Sequence, residues 1–182
     1  AHRTNSKNFA MLIYNKELSV CPVTTHLPLK KVPKKISNKL IRNKVELVDN
    51  FYKKYFKHKP KIAITGLNPH CESIDDFNED DKIIKPTTKS LIKSNYRILG
   101  PFAADTIFLR KNRKKFNVII GMYHDQVLTP IKTLVVVRAT VDHERLPGNE
   151  RGTRAGKEGH GANQIIRVHV ARKGAAPDGK LR

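Results

Sequence analysis

Apolar residues run together first at positions 9–14, Phe-Ala-Met-Leu-Ile-Tyr, and again across 18–23, with Asn15, Lys16 and Glu17 between them. Two short apolar runs joined by a tight polar connection predict an antiparallel hairpin. From Lys34 the period changes: Ile36, Leu40, Leu47, Val48, Phe51 and Tyr55 recur mostly at intervals of three, four or seven. That spacing predicts a helix that lays one stripe on a sheet and stops by Pro60. Residues 61–65, Lys-Ile-Ala-Ile-Thr, read as a short strand of the buried, parallel kind, left through the turn Gly66-Leu67-Asn68-Pro69-His70. A second helix carries Ile83, Ile84, Leu91 and Ile92, with Pro86 near its first turn. Then come a strand at 96–99, a loop over 100–106 entering a short helix, and a strongly apolar strand at 116–123. Strands alternating with helices predict an α/β fold, a mostly parallel sheet flanked by helices with an antiparallel hairpin at its start.

Three histidines change the picture, because each directly follows one of those strands. They lie in Thr24-Thr25-His26-Leu27-Pro28, in Gly66-Leu67-Asn68-Pro69-His70 and in Met122-Tyr123-His124-Asp125-Gln126. In open α/β sheets ligands bind outside the carboxyl ends of the strands, where all three would fall. Neutral imidazole is the commonest metal-ligating side chain, and a catalytic site keeps three protein ligands and an open position. His26, His70 and His124 are therefore candidate metal ligands. The competing reading of each one singly is a hydrogen-bonded turn residue. Cys21 and Cys71 have no Cys-x-x-Cys spacing, so a zinc ribbon or finger is not expected.

Charge and composition set outer bounds. The 182 residues carry 36 Lys and Arg against 16 Asp and Glu, a formal charge of +20. Such a field attracts phosphorylated or nucleic-acid partners. Much of the excess is lysine expected on the solvated outer face of the long helix region (Lys30, Lys31, Lys34, Lys35, Lys39, Lys44, Lys53, Lys54), and no nucleic-acid-binding motif accompanies it. No apolar stretch reaches the length of a membrane span and no leader pattern opens the chain, so a soluble, cytoplasmic protein is expected. Two single cysteines fit a reducing compartment. The acidic stretch at 75–81 is expected to complement a helix N-terminus rather than to bind metal. Asp105 reads as a helix cap or as a partner orienting a ligand histidine.

Four segments, Thr24-Thr25-His26-Leu27-Pro28-Leu29, Gly66-Leu67-Asn68-Pro69-His70, Gly100-Pro101-Phe102-Ala103-Ala104-Asp105-Thr106 and Met122-Tyr123-His124-Asp125-Gln126, stand in the order and approximate spacing of the 4-hydroxythreonine-4-phosphate dehydrogenase family of vitamin B6 biosynthesis. The chain resembles that family over roughly residues 5 to 134. The resemblance implies part of a fold similar to isocitrate and isopropylmalate dehydrogenases. It implies a homodimeric oxidoreductase using NAD (or NADP) and a divalent metal, zinc, magnesium or cobalt, held by three histidines shared between subunits. His26, His70 and His124 match those ligands, and Lys132 and Arg138 match substrate contacts for a phosphorylated small molecule. The implied reaction is oxidation of 4-phosphohydroxy-L-threonine followed by decarboxylation, with Asp125 and Asp105 as candidates for proton transfer or for orienting a ligand. The alternative is a basic nucleic-acid- or phosphate-binding protein whose histidines are incidental.

The chain also departs from the family. A preceding His-Thr pair expected to grip substrate has no counterpart, so the chain is expected to be an N-terminally shortened piece, inactive if turnover requires the missing part. After Leu134 the expected Gly-, Asn- and Pro-containing stretch is replaced by Val135-Val136-Val137, and Arg138-Ala139-Thr140-Val141-Asp142-His143 then resembles a later family segment. Composition shifts at the same place from lysine-rich to arginine-, Gly- and Ala-rich. The expected division is a partial dehydrogenase-like domain over 1–134 and a divergent, loosely ordered basic segment over 135–182. Within the latter, residues 145–161 are expected to be loop, and 164–170 one strand or helical turn.

Overall fold

The computed structural model describes residues 9–14, 17–73, 77–144 and 164–169, with side chains described as far as Leu134. The apolar runs become the hairpin strands β1 (Phe9–Tyr14) and β2 (Ser19–Pro22), antiparallel with Ile13 opposite Val20. Asn15 and Lys16 of the expected turn lie outside the described residues. Beyond β2 come one turn of 3-10 helix, Leu29–Lys31, and the short helix α1 (Val32–Lys35), opened by Pro33 in its first turn.

The long helix does not begin at Lys34. Ile36 is extended and Ser37 caps α2 (Asn38–Phe56), its side chain accepting from the Leu40 N–H, because a serine side chain satisfies an orphan donor that a continuous helix would not leave. Ile41, Leu47, Val48 and Phe51 are buried against the sheet as the periodicity predicts. Tyr55 is not: it is exposed and packs on Phe51, with ring centroids 4.8 Å apart. Lys44, expected in solvent, is buried; its ammonium donates to the Phe9 carbonyl and lies over the Phe9 ring. Burial holds the Lys44 ammonium below its ordinary pKa.

β3 (Ile62–Thr65) is fully buried, and its exit turn, Pro69–Cys71, is 3-10. One π-turn, Asp80–Ile84, opens α3 (Lys85–Lys93). β4 (Ile98–Phe102) starts two residues later than expected and runs through Gly100-Pro101-Phe102, which the sequence suggests is loop. Glycine permits this: Gly100 has φ of +132°, and a Cβ there would stand 2.5 Å from the Ile64 carbonyl oxygen on the neighbouring strand. Two short helices, α4 (Ala104–Ile107) and α5 (Arg110–Arg113), lead to β5 (Val118–Gly121), all of it buried. The backbone continues into α6 (His124–Glu144), and β6 (Gln164–His169) pairs antiparallel with β1. Residues 145–161 lie outside the described residues.

The sheet order is β4-β3-β5-β2-β1-β6, with β4, β3, β5 and β2 mutually parallel and the hairpin reversing direction at β1. This is the mostly parallel α/β sheet the alternation predicts. One core layer joins the sheet to α2 and α3 through Leu12, Ile41, Val48, Ile64, Leu91 and Ile120. The other face packs Val20, Ile119, Val127, Leu128 and Ile131 with Ile107 and Phe108. No helix among the described residues is long and apolar enough to cross a membrane.

The topology fixes where the chemistry can be. Because β4, β3, β5 and β2 are parallel neighbours, their carboxyl ends lie along one edge, carrying in that order the segments of Asp105, His70, His124 and His26.

Candidate functional site

Each histidine-bearing turn is fastened to the edge by a specific polar contact. At the end of β2, Thr24 donates both its N–H and its hydroxyl to the Met122 carbonyl, at 3.1 Å and 2.8 Å, and Val23 N–H donates to the Gly121 carbonyl. These bonds extend the β2–β5 pairing past the strands and bring the two following turns together. His26 and His124 consequently face one another, with ring centroids 5.5 Å apart and planes 41° apart. Both line an open cleft of about 270 Å³ with Thr24, Leu27, Leu29 and Tyr123 among its walls.

The turn leaving β3 is held from below. Asp80 is fully buried, and its carboxylate accepts from the backbone N–H groups of Leu67 and Asn68, both at 3.0 Å, and from the Asn68 side-chain amide at 3.1 Å. The acidic stretch thus does more than complement its own helix: Asp80 sits in the first turn but spends its acceptors on the neighbouring loop. Gly66 is required for that approach, since a Cβ would stand 2.6 Å from Asp80 Oδ1 and 2.7 Å from Cys71 Sγ. Asp75 and Asp76 lie outside the described residues.

Gln126, in the first turn of α6, ties the β3 and β5 turns to each other. Its Oε1 accepts from Thr65 Oγ1 at 2.9 Å and from the Met122 N–H at 2.7 Å, and its Nε2 donates to the Gly66 carbonyl at 2.8 Å. Gln126 and Thr24 stand inside the sequence motifs, yet the sequence alone marks neither, because a neutral polar side chain beside a histidine announces no chemistry. The signal available was position: Gln126 directly precedes the apolar face Val127, Leu128 and Ile131, where a surface glutamine would not stand.

The remaining candidates distribute unevenly. Asp125 Oδ1 lies 2.8 Å from His124 Nδ1. A carboxylate only accepts, so Nδ1 carries the proton of this bond, and in the neutral ring Nε2 is the nitrogen with the lone pair. His70 is exposed on the same edge but does not line the cleft; β5 lies between its strand and that of His26, so the two strands stand ~10 Å apart by strand spacing. Among the described residues no three His, Cys, Asp or Glu side chains converge closely enough within one chain to hold a metal. Asp105 is exposed in the first turn of α4; Ala103 occupies the N-cap with no side-chain cap bond, so the capping role is not taken up. Lys132 is exposed on α6, eight residues beyond His124 and so ~12 Å along the helix axis. Arg138 lies within α6, and its side chain is outside the described residues.

Two of the three histidines share a backbone conformation that Lys57 and Asn95 also adopt. His26 and His70 are left-handed, with φ of 54° and 56°, and Cys71 follows at 62°. Such residues are uncommon outside glycine and gather where surrounding structure over-determines them. The donor set suits a divalent cation: two imidazoles meet in an open cleft, and one is oriented by a carboxylate through its far nitrogen.

Comparison with known proteins finds relatives along most of the chain. The family model described as pyridoxal phosphate biosynthetic protein PdxA matches residues 1–144. The 4-hydroxythreonine-4-phosphate dehydrogenase of Sulfurihydrogenibium sp. is 41% identical over 141 residues, covering 76% of this chain and 43% of that protein. The D-threonate 4-phosphate dehydrogenase of Pectobacterium atrosepticum is 31% identical over 135 residues, covering 74% and 41% respectively. Among solved structures, 4-hydroxythreonine-4-phosphate dehydrogenase from Klebsiella pneumoniae is similar with a TM-score of 0.66 at 29% identity, over 74% of this chain and 42% of that one. The chain spans about two fifths of the length of these relatives.

Proposed function

The chain belongs to the family of pyridoxal phosphate biosynthetic protein PdxA, and from that premise we propose that its histidine-bearing sheet edge is the metal-holding part of a dehydrogenase site for a phosphorylated hydroxy acid. The observation that carries this reading is the meeting of His26 and His124 in one cleft, 5.5 Å between ring centroids, on the edge that also carries the turns of His70 and Asp105.

His26 and His124 are the ligands one chain brings together, and His70 is the third, completing the set across a homodimer. When bound, a divalent cation (zinc, magnesium or cobalt) supplies a Lewis acid for a substrate hydroxyl, and NAD or NADP supplies a hydride acceptor. The chain's own residues do the rest. Asp125 holds the His124 ring with Nε2 free, which fixes both tautomer and direction. Asp105 and Asp125 are exposed carboxylates on that edge, after β4 and β5 respectively, available to take a proton from substrate. Lys132 and Arg138 suit phosphate or carboxylate, the ammonium as a compact charge and the guanidinium as a fork. The chain's formal charge of +20 favours an anionic substrate.

The relatives' names include two different substrates, and both carry a 4-phosphate. The substrate class read for this chain is accordingly a 4-phosphorylated hydroxy acid, with 4-phosphohydroxy-L-threonine the representative, and oxidation followed by loss of carbon dioxide the reaction. Two free, buried cysteines fit a reducing cytoplasm.

The test is cobalt titration of the purified chain beside His124→Ala, with mass measured in solution at each point. Retention of metal by the parent, weakened at least tenfold in the variant, supports the reading. A parent that binds no cobalt, or a variant that binds it equally well, overturns it.

A further inference from the structure

Past the last parallel pair, Ile64 with Ile120, the backbones of β3 and β5 separate and each leads to its own histidine turn. The Gln126 amide stands in that gap. Its oxygen takes two donors, one from each strand end, and its nitrogen donates to the first carbonyl of the His70 turn. The side chain is buried and its amide oxygen and nitrogen are both satisfied by these groups. Gly121 makes the fit possible: a Cβ there would lie 3.0 Å from Gln126 Oε1 and 2.4 Å from Val127 Cγ1. The amide is therefore enclosed, and neither of its ends can be lost without leaving a partner unpaired.

We propose that Gln126 is a positioning residue that sets the separation of the His70 and His124 turns, and through it the binding of a cation by the proposed dehydrogenase site, on which this inference rests. Gln126 contacts neither imidazole. It acts through Gly66, four residues before His70, and through Met122, two before His124. The two arms are chemically separable. Gln126→Glu keeps an oxygen to accept from Thr65 and Met122 but sets a carboxylate oxygen against the Gly66 carbonyl, so it breaks the His70 arm alone. Gln126→Leu breaks both.

The experiment reads the imidazole resonances of the full chain by NMR without metal, then cobalt affinity by titration. In Gln126→Leu the His70 and His124 rings both shift while His58, on the opposite edge, stays. In Gln126→Glu the His70 ring shifts and His124 holds. Cobalt affinity falls about tenfold or more in both, while Ile98→Val, a core control at the far end of β4, leaves rings and affinity unchanged despite its lower stability. Unmoved His70 in both variants, or wild-type cobalt affinity in both, overturns the positioning role. Where the parent itself binds no cobalt, rings that shift in the variants uphold the positioning and refute the metal reading, and the affinity comparison does not apply. Should Gln126→Leu fail to fold, Gln126→Glu alone decides between these outcomes.

Discussion

His124 donates through Nδ1 to Asp125 across 2.8 Å, a bond between sequence neighbours at the head of α6 that leaves the other ring nitrogen directed away from the carboxylate. Asp125→Asn preserves size and removes the charge. Partners of this kind are worth 10- to 100-fold in metal affinity, and because the Asp125 side chain is 79% exposed the lower figure, about tenfold, is expected here. Cobalt titration of Asp125→Asn beside the parent measures it, and an unchanged affinity would refute the orienting role.

Asp80 is the support of the His70 turn. Asp80→Ala strips two backbone N–H groups and the Asn68 amide of their acceptor; because Leu67 and Asn68 are half-buried, each of the three donors costs about 1 kcal/mol, the low end of the usual desolvation, for a loss of about 3 kcal/mol. Denaturant unfolding reads the stability, and limited proteolysis reads the turn, where cleavage near Leu67 should accelerate more than elsewhere. Wild-type stability in Asp80→Ala would remove this account of the turn.

Gly121→Ala tests packing rather than backbone freedom. A methyl at this position meets Val127 Cγ1 at 2.4 Å, so the head of α6 must shift. Overpacking of this kind costs about 1–3 kcal/mol. The midpoint of denaturant unfolding should fall with the slope unchanged; a neutral result would mean that α6 yields freely.

Alkaline pH should unfold the protein through two buried acids. Burial pushes the Cys21 thiol from 9.0 up to about 12, and burial first, followed by the Tyr14 neighbour, pushes the Tyr52 phenol from 10.0 up to about 12 against its bond to Ser19. A folded-state pKa above the unfolded one gives stability that is complete below the unfolded value and lost as pH climbs to the folded one. Each group therefore costs about 1.4 kcal/mol per pH unit, Cys21 from pH 9 and Tyr52 from pH 10, both ending near 12. Lys44, held low by burial, works in the opposite direction below 10.5. Comparing Cys21→Ala with the parent isolates the first slope; curves that run parallel between pH 9 and 12 would refute it.

Much of the architecture was legible because its cues are periodic. The 9–14 and 18–23 runs, the apolar stripe of Ile41, Val48 and Phe51, and the apolar cores of β3 and β5 each announce an element by spacing alone. Three histidines following three strands announced one shared edge, and a parallel sheet delivers it. What stayed hidden depends on tertiary partners. Gly100 looks like a turn residue until the Ile64 carbonyl is placed beside it. Lys44 looks solvated until the Phe9 carbonyl is found within its reach. Gln126 has no charge and no nucleophile, so only the strand ends it joins reveal what it does.

His26 and His70 occupy the backbone region that glycine enters most easily. Glycine at either place would ease the main chain and so make the fold more robust, by roughly 1 kcal/mol, while removing an imidazole from the edge. Mutational drift toward sturdiness and retention of a ligand are thus set against each other at these two residues, and whichever way a descendant sequence resolves that conflict records whether the edge is still in use.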